Sequence, residues 1–287
     1  MYSARLSQPS GVLFRRRQAS RILIYACLLA LALSMLVPFL WMAATSLMDD
    51  LEVYRFPPKF IPQKFLWSNY REALGLLPFD KFFLNTLLVA AGAVLGQLIT
   101  CSLAAYAFAR LRFKWRDTIS ALYLATMMIP AVVTLIPTFL IVNAFGGMNT
   151  YWGLVTPALT SVWGIFLLRQ FFLTIPRDYE DGARLDGASD FTIFYKIILP
   201  LSKPALATLA IFAFMNSWKD FLWPLIITNR NDKRTVETGI AMFHSLHAVN
   251  WPYQMAAAVV VMLPIVVIFF LAQRYFVKGI TMTGLKG

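Results

Sequence analysis

The sequence predicts an all-α, polytopic membrane protein with six transmembrane helices and a charged cytoplasmic helical segment. Hydrophobic residues make up 59% of the 287 residues and charged residues only 14%, whereas a soluble domain carries about 25% charged residues. A bilayer core needs roughly 20 apolar residues per helix, and six nearly uncharged stretches reach that length. In chain order, the predicted spans are 22–47, 82–108, 119–142, 152–173, 205–228 and 255–276.

The connections between these spans are polar, charged or proline-bearing, which supports dividing the chain at those points. The first apolar run follows several arginines, as in a signal peptide, but it is about twice as long as a signal peptide's apolar region and predicts an uncleaved anchor. We therefore expect a basic cytoplasmic tail over 1–21, a first helix with an extracytoplasmic loop over 22–81, and a core domain of five helices over 82–287.

Basic residues near the span ends predict the orientation of the chain. They are in excess in the tail, between the second and third spans and after the last span, whereas the loop 48–81 has as many acidic as basic residues. We therefore expect both termini in the cytoplasm. The net charge of +12 lies beside the spans, where anionic lipid headgroups attract it, so membrane lipid rather than nucleic acid is the expected partner of these charges.

A charged interruption over 176–200 separates the fourth and fifth spans and predicts a helix, a tight turn and a second helix outside the hydrocarbon. Pro176 suits a first helical turn, and acidic residues follow it at the positive end of the helix dipole. Gly187 provides a left-handed stop, and Ser189 can cap a second short helix that is expected to end before Pro200. The three acidic residues are Asp178, Glu180 and Asp181.

This interruption resembles the EAA loop of permease subunits from bacterial ABC importers. The family pattern is Glu-Ala-Ala, three residues, Gly, nine residues, and Ile-x-Leu-Pro. Here Asp181-Gly182-Ala183 stands for Glu-Ala-Ala, and Gly187 and Ile197-Ile198-Leu199-Pro200 follow at the family spacing. Asp181 keeps the charge of the usual Glu with a shorter reach, and Gly182 in place of Ala weakens the helix by roughly 1 kcal/mol.

Three further stretches are similar to the carbohydrate-uptake, maltose-type branch of this family. They are Asn69-Tyr70 with Phe83-Leu84-Asn85-Thr86, then Ser217-Trp218-Lys219-Asp220-Phe221-Leu222-Trp223-Pro224-Leu225, and lastly 273–281 with 284–287. The resemblance therefore covers about residues 69–287. Lys219 departs from the branch, which usually has Asn at that position.

The resemblance implies the type I ABC importer permease fold, a bacterial cytoplasmic (inner) membrane location and a division of labour among subunits. A second permease, giving a heterodimer, would complete the pathway, and an extracytoplasmic solute-binding protein would deliver a sugar or oligosaccharide. Two cytoplasmic ABC ATPase subunits would bind ATP and Mg, so this chain itself would be no enzyme and would bind no cofactor or metal. The residues implied to contact an ATPase are Asp178, Glu180, Asp181, Gly182, Ala183, Arg184, Asp186 and Gly187 in the coupling helix, and Gly284, Lys286 and Gly287 at the C-terminus.

Two charged residues lie inside the predicted fifth span, where a charge facing lipid is costly. On a continuous helix, Lys219 and Asp220 would come about two-thirds of the way across and about 100° apart, with Asn216 one turn below. We expect these three to line the translocation path and to hydrogen-bond a sugar or, through Lys219, an acidic group of the substrate. The alternative is a structural role, as an ion pair with the partner permease or by snorkelling to the outer surface.

Other function classes find little support in the residues. The sequence has no Gly-Lys dipeptide and hence no Walker A phosphate loop, and His244 and His247 have no acidic or thiol ligand near them in sequence. A secondary transporter of a small polar solute is the alternative function. Such proteins have inverted repeats, broken helices and intramembrane carboxylates, and only Asp220 comes close to the last requirement. A membrane-embedded enzyme would need a cluster of His, Cys or carboxylates near one face, which we do not find in the sequence.

Overall fold

The structure, a computed structural model, describes residues 11–244 and 250–283, and neither range contains a strand. The α-helices are α1 (Gly11–Thr45), α2 (Asp50–Val53), α3 (Ser68–Leu76), α4 (Phe79–Arg110), α5 (Arg116–Ala125), α6 (Ala131–Ala144), α7 (Tyr151–Val155), α8 (Val162–Thr174), α9 (Asp178–Leu185), α10 (Asp190–Ile193), α11 (Leu199–Leu201), α12 (Lys203–Trp218), α13 (Leu222–Ile227), α14 (Val236–Ala241) and α15 (Trp251–Thr283). The all-α fold class is therefore confirmed.

The number of membrane spans agrees with the prediction when bent helix pairs are counted once. Three stretches are long and apolar enough to cross a membrane as single helices, namely Ser20–Thr45, Phe79–Arg110 and Trp251–Leu271. Three pairs reach the same length and composition together: Arg116–Met128 with Ala131–Ala144, bent by 102°, Tyr151–Ala158 with Val162–Thr174, bent by 46°, and Asp190–Leu201 with Lys203–Trp218, bent by 79°. The described residues thus offer up to six spans.

Three of the predicted spans are broken helices rather than continuous ones, and the fourth of the six bends by 46° between Ala158 and Val162. The third breaks at Ile129, which has extended backbone, because the residue before a proline is driven out of the helical region. In the fifth, α12 ends at Trp218 and α13 begins only at Leu222. The apolar composition of a segment reflects its surroundings and does not show whether its helix is continuous, so the sequence pattern missed all three breaks.

Helix α4 is the centre of the molecule and packs against α8 and α12. The largest buried cluster, which includes Leu168 and Leu209, lies where these three helices meet. Gly164 on α8 permits the close approach, because an added Cβ would lie 2.7 Å from Leu209 and 3.1 Å from Sγ of Cys101. By contrast, the span of α1 buries none of its apolar side chains within this chain.

Candidate functional site

The segment 176–200 folds into a helix that is stopped by a glycine turn. Gly187 follows α9 with a φ of 80°, in the left-handed region that favours glycine. Its amide donates to the carbonyl of Arg184 at 3.0 Å, and the amide of Ala188 donates to the carbonyl of Ala183 at 2.9 Å. This is the hydrogen-bond pattern of a Schellman helix stop, and the predicted helix and turn are confirmed.

The second helix of the segment is longer than predicted. The hydroxyl of Ser189 accepts from the amide of Thr192 at 3.3 Å and caps α10, as expected. The helical run then continues through a π-helical turn at Phe194–Ile198 and on to Leu201. The predicted end before Pro200 is wrong, because Pro200 lies in the first turn of α11, where its missing amide hydrogen is not needed.

A buried arginine attaches α9 to the ends of two spans. Arg110 is the last residue of α4, and its Nη2 donates to the carbonyl of Phe172 and, at 2.6 Å, to that of Ile175. These carbonyls lie at the end of α8, where a helix leaves its last carbonyls without partners. The Nε of Arg110 lies 3.0 Å from Oε1 of Glu180 on α9, and the two side chains are only 3% and 7% exposed. One guanidinium therefore joins α4, α8 and α9.

Tyr106 makes a second attachment, one helical turn earlier on the same face of α4. Its hydroxyl donates to the carbonyl of Asp190 at 3.2 Å. Its ring centroid lies 5.1 Å from that of Phe194. Ile193 is fully buried in the same cluster. Both helices of the segment are therefore packed into the core of the chain and do not form a free loop.

The opposite face of the segment is exposed and mixes charged with apolar side chains. Leu185 is 90% exposed and Phe191 is 69% exposed, and an exposed ion pair joins Arg184 to Asp190. An exposed apolar patch beside charged residues is typical of a surface that contacts another protein. Of the predicted docking residues, this face exposes Asp178, Asp181, Gly182, Arg184, Asp186 and Gly187 and half-exposes Ala183; we call it the docking face.

Glu180 differs from the other predicted docking residues because its side chain is buried and faces Arg110. Its neighbour Asp181 is exposed, since successive helical residues point about 100° apart. We therefore correct the prediction for Glu180, which holds α9 in place instead of forming part of the docking face. In the sequence, Arg110 is one of several basic residues at the end of a span. Its carbonyl partners are 62 and 65 residues further along the chain, which no local pattern reveals.

At the other end of α4, Asn85 and Thr86 hold a loop against the helix. Nδ2 of Asn85 donates to the carbonyls of Asp232 and Arg234 at 3.0 and 2.8 Å. The hydroxyl of Thr86 accepts from the amide of Val236 at 3.0 Å. Because Asn85 and Thr86 are buried, these bonds satisfy polar groups that water does not reach. The pair thus fixes the connection that leads into α14.

Asn69 and Tyr70 have the same kind of role at the end of α1. Nδ2 of the buried Asn69 donates to the carbonyls of Ser46 and Met48 at 2.9 and 2.8 Å. The hydroxyl oxygens of Tyr70 and Ser46 are 2.8 Å apart. The two sequence signatures, Asn69-Tyr70 and the one that contains Asn85 and Thr86 near the start of α4, therefore hold together segments that are distant in the sequence.

The structure gives different positions to the three predicted path residues. Helix α12 ends at Trp218 with Lys219 as its C-cap, and Oδ1 of Asp220 accepts from the amide of Trp223 at 3.3 Å, which caps α13. The premise that Lys219 and Asp220 share one continuous helix is therefore wrong, because the aspartate competes for backbone amides and favours a new helix start. Asn216 and Lys219 are exposed, whereas Asp220 is half-buried.

Lys219 has an acidic neighbour within the same chain. Burial raises the pKa of the Glu237 carboxyl on α14, and the nearby charge of Lys219 opposes that rise. The structural alternative for Lys219 was an ion pair with a partner permease. An acidic neighbour for Lys219 is thus present within this chain, and the ion pair with a partner permease stays a prediction.

The described residues contain no group of metal ligands, and the predicted C-terminal contact lies outside them. Within residues 11–244 and 250–283, no three side chains of His, Cys, Asp or Glu are grouped as a metal site requires. His247 and the predicted C-terminal contact residues Gly284, Lys286 and Gly287 lie outside the described residues.

Comparison with known proteins identifies similar chains along most of this sequence. The family described as "binding-protein-dependent transport system inner membrane component" matches residues 97–282. The sequence is 34% identical over 269 residues to the sn-glycerol-3-phosphate transport system permease protein UgpE of Pectobacterium atrosepticum, which covers 91% of this chain and 94% of the relative. It is 36% identical over 206 residues to the arabinooligosaccharides transport system permease protein AraQ of Halalkalibacterium halodurans, covering 72% and 74%.

Solved structures have the same fold. A chain from the crystal structure of a bacterial ABC transporter involved in the import of the acidic polysaccharide alginate matches with a TM-score of 0.76 and 24% sequence identity, over 96% of this chain and 99% of that chain. A chain from the complex of the alginate transporter with its alginate pentasaccharide-bound periplasmic protein matches with a TM-score of 0.67 and 15% identity, over 90% and 94%.

Proposed function

Because this chain belongs to the family of binding-protein-dependent transport system inner membrane components, we propose that it is one of two different permease subunits that together enclose the pathway of an ATP-driven importer. It is a multi-pass protein of the inner membrane. In this proposal both termini and the segment 176–200 lie in the cytoplasm, because basic residues are in excess at those span ends.

The observation that carries the proposal is the attachment of the segment 176–200 to α4 and α8 through the buried side chain of Arg110. Two partner ATPase subunits would bind ATP and Mg and would receive the docking face of this segment. Their movement would reach α4 and α8 through Arg110, and it would reach α12 through the helical run that ends at Leu201. Packed elements with two discrete arrangements can carry such a displacement between distant sites.

A sugar or oligosaccharide is the proposed substrate, delivered by an extracytoplasmic solute-binding protein. The name of one relative supports this class directly, since it specifies arabinooligosaccharides. The name of another specifies sn-glycerol-3-phosphate, a phosphorylated polyol with hydroxyl groups like those of a sugar. Exposed Asn216 and Lys219 are the proposed path residues, and Asp220 has a capping role instead. Binding of the cognate solute-binding protein to a panel of neutral, acidic and phosphorylated sugars tests the substrate class. A protein that binds amino acids or peptides and no sugar would contradict it.

A single exposed residue tests the docking proposal. Leu185→Asp puts a charge on the docking face at a position that is 90% exposed, so the chain should still fold and insert. We expect co-purification of the ATPase subunits to be lost. Leu51→Asp is the matched control, because Leu51 is 86% exposed on α2 and should leave ATPase association unchanged. Equal ATPase association in both variants would overturn the proposal.

The alternative function, a secondary transporter, shares one feature with this chain. Broken membrane helices occur in many secondary transporters, and three bent pairs are present among the described residues. In those proteins the breaks serve to bind the substrate and coupling ions, whereas here Asp220, at the separate break between α12 and α13, caps α13. Together with the family membership, this use of the carboxylate favours the importer.

A further inference from the structure

Beyond transport, we propose that the chain binds the phosphate headgroup of an anionic phospholipid in a basic pocket of about 580 Å³. The pocket lies between the end of α4, the start of α5 and Arg177, which precedes α9. Its lining includes Arg112, Arg116 and Arg177, together with the Trp115 ring and the Thr118 hydroxyl.

The charges of the pocket leave two arginines available for an anion. Its one lining carboxylate, Asp117, is already paired, with Oδ1 3.0 Å and Oδ2 3.2 Å from the guanidinium of Arg116. Arg169 lies 4.0 Å from the same carboxylate. In the described parts of the chain, no carboxylate pairs with Arg112 or Arg177, and both are exposed. Two unpaired guanidinium groups at one pocket suit a phosphate, which they can bind with parallel hydrogen bonds.

The surface next to the pocket indicates a lipid as the source of that phosphate. Trp115 is 64% exposed, and Ile119 and Leu122, which follow it on one face of α5, are 44% and 66% exposed. A helix with such a continuous apolar stripe needs an apolar environment along it, and α5 opens a candidate span. Tryptophan prefers the level of the headgroups. A lipid whose phosphate binds between Arg112 and Arg177 would therefore place its acyl chains along this stripe. A soluble anion has no acyl chains to make that contact.

Native mass spectrometry of the full chain in detergent, titrated with phosphatidylglycerol or phosphatidylcholine, tests the proposal. Removing two arginines by Arg112→Gln with Arg177→Gln should weaken phosphatidylglycerol binding by about 25-fold, since each basic residue near an anionic lipid contributes roughly fivefold. Binding of phosphatidylcholine should change little. The control is Lys64→Gln with Arg71→Gln, which removes two exposed basic residues elsewhere and should leave phosphatidylglycerol binding unchanged.

A charge-preserving pair separates electrostatic binding from damage to the fold. Arg112→Lys with Arg177→Lys should retain most of the phosphatidylglycerol binding. Unchanged binding in the Gln pair, or an equal loss in the Lys64 and Arg71 control, would overturn the proposal. Displacement of the lipid by inorganic phosphate would identify a free anion as the ligand instead. Loss of ATPase co-purification with unchanged lipid binding would assign the pocket to a protein partner, and would equally overturn it.

Discussion

Arg110 and Glu180 form a buried ion pair at the junction of three helices. Removing one partner leaves an uncompensated charge in an apolar environment and costs about 3–5 kcal/mol. We expect Arg110→Met and Glu180→Leu each to lower the thermal unfolding temperature of the purified chain strongly. The double variant should lose less than the sum of the two, because neither charge is then left alone. Full recovery is not expected, since Arg110 also binds the carbonyls of Phe172 and Ile175.

The exposed pair of Arg184 and Asp190 provides the matched control for that double-mutant cycle. Exposed ion pairs contribute little because water and salt screen them. Arg184→Met should therefore shift the unfolding temperature far less than Arg110→Met. Strictly additive losses at Arg110 and Glu180, or a loss at Arg184 of the same size, would contradict a stabilising role for the buried pair.

The electrostatic interaction between Lys219 and Glu237 predicts how the stability of the folded chain changes with pH. Burial raises the pKa of Glu237 above its ordinary value of 4.5, and Lys219 opposes the rise. A carboxyl with a raised folded-state pKa favours the folded state at low pH, and this contribution is lost as the pH rises through the folded-state pKa. In Lys219→Asn that pKa should rise further, so the loss of stability from pH 4 to pH 8 should be larger than in the wild type.

Thermal unfolding of the full chain across that pH range measures the difference between Lys219→Asn and the wild type. Glu237→Gln in the Lys219→Asn background removes the titrating group and should abolish the extra pH dependence. The same pH profile in the wild type and in Lys219→Asn would mean that Lys219 does not act on Glu237.

At the scale of the element, the turn after α9 sets the direction of the docking face. Gly187 has a φ of 80°, which a β-branched residue resists. Gly187→Val should abolish transport and loosen ATPase association while the chain remains inserted in the membrane. Gly182→Ala is the control on the same helix, because an added Cβ meets nothing within 4 Å and alanine favours a helix by about 1 kcal/mol. Full substrate-stimulated ATP hydrolysis with Gly187→Val would refute the coupling role.

Element boundaries also show which features of the fold the sequence can predict. The stop at Gly187 and the cap at Ser189 depend on local hydrogen bonds, so local residue preferences predict both correctly. Prolines are harder to interpret, because the outcome depends on what surrounds them. Pro38 and Pro137 lie within helices, whereas the break at Ile129 comes directly before Pro130. In a membrane, neighbouring helices can satisfy the backbone groups that a proline frees, and the sequence alone does not identify those neighbours.

The candidate site was predicted in part for a similar reason. Its exposed residues follow a local motif with fixed spacing, so the sequence predicts them without any long-range contact. Its buried attachment depends on contacts between α4 and segments more than 60 residues away, which one sequence without relatives does not reveal. Asp220 combines a local feature with a misleading one. Its capping hydrogen bond is local, but the apolar residues around it give the sequence pattern of one continuous helix.

For the whole molecule, the six-span arrangement predicts which loops share a side of the membrane. Arg112 and Asp186 follow the second and fourth spans and should be cytoplasmic, whereas Lys59 and Asn231 should be outside. All four are exposed, so single cysteines there should keep the fold. In a background without Cys27 and Cys101, an impermeant thiol reagent added to intact cells should label cysteines at 59 and 231 only. In cells that express this chain without its ATPase partners, which would cover 186, labelling at 112 and 186 should appear once the membrane is permeabilised. Labelling at 112 in intact cells would require an odd number of crossings before that residue, and would overturn the arrangement independently of any family relationship.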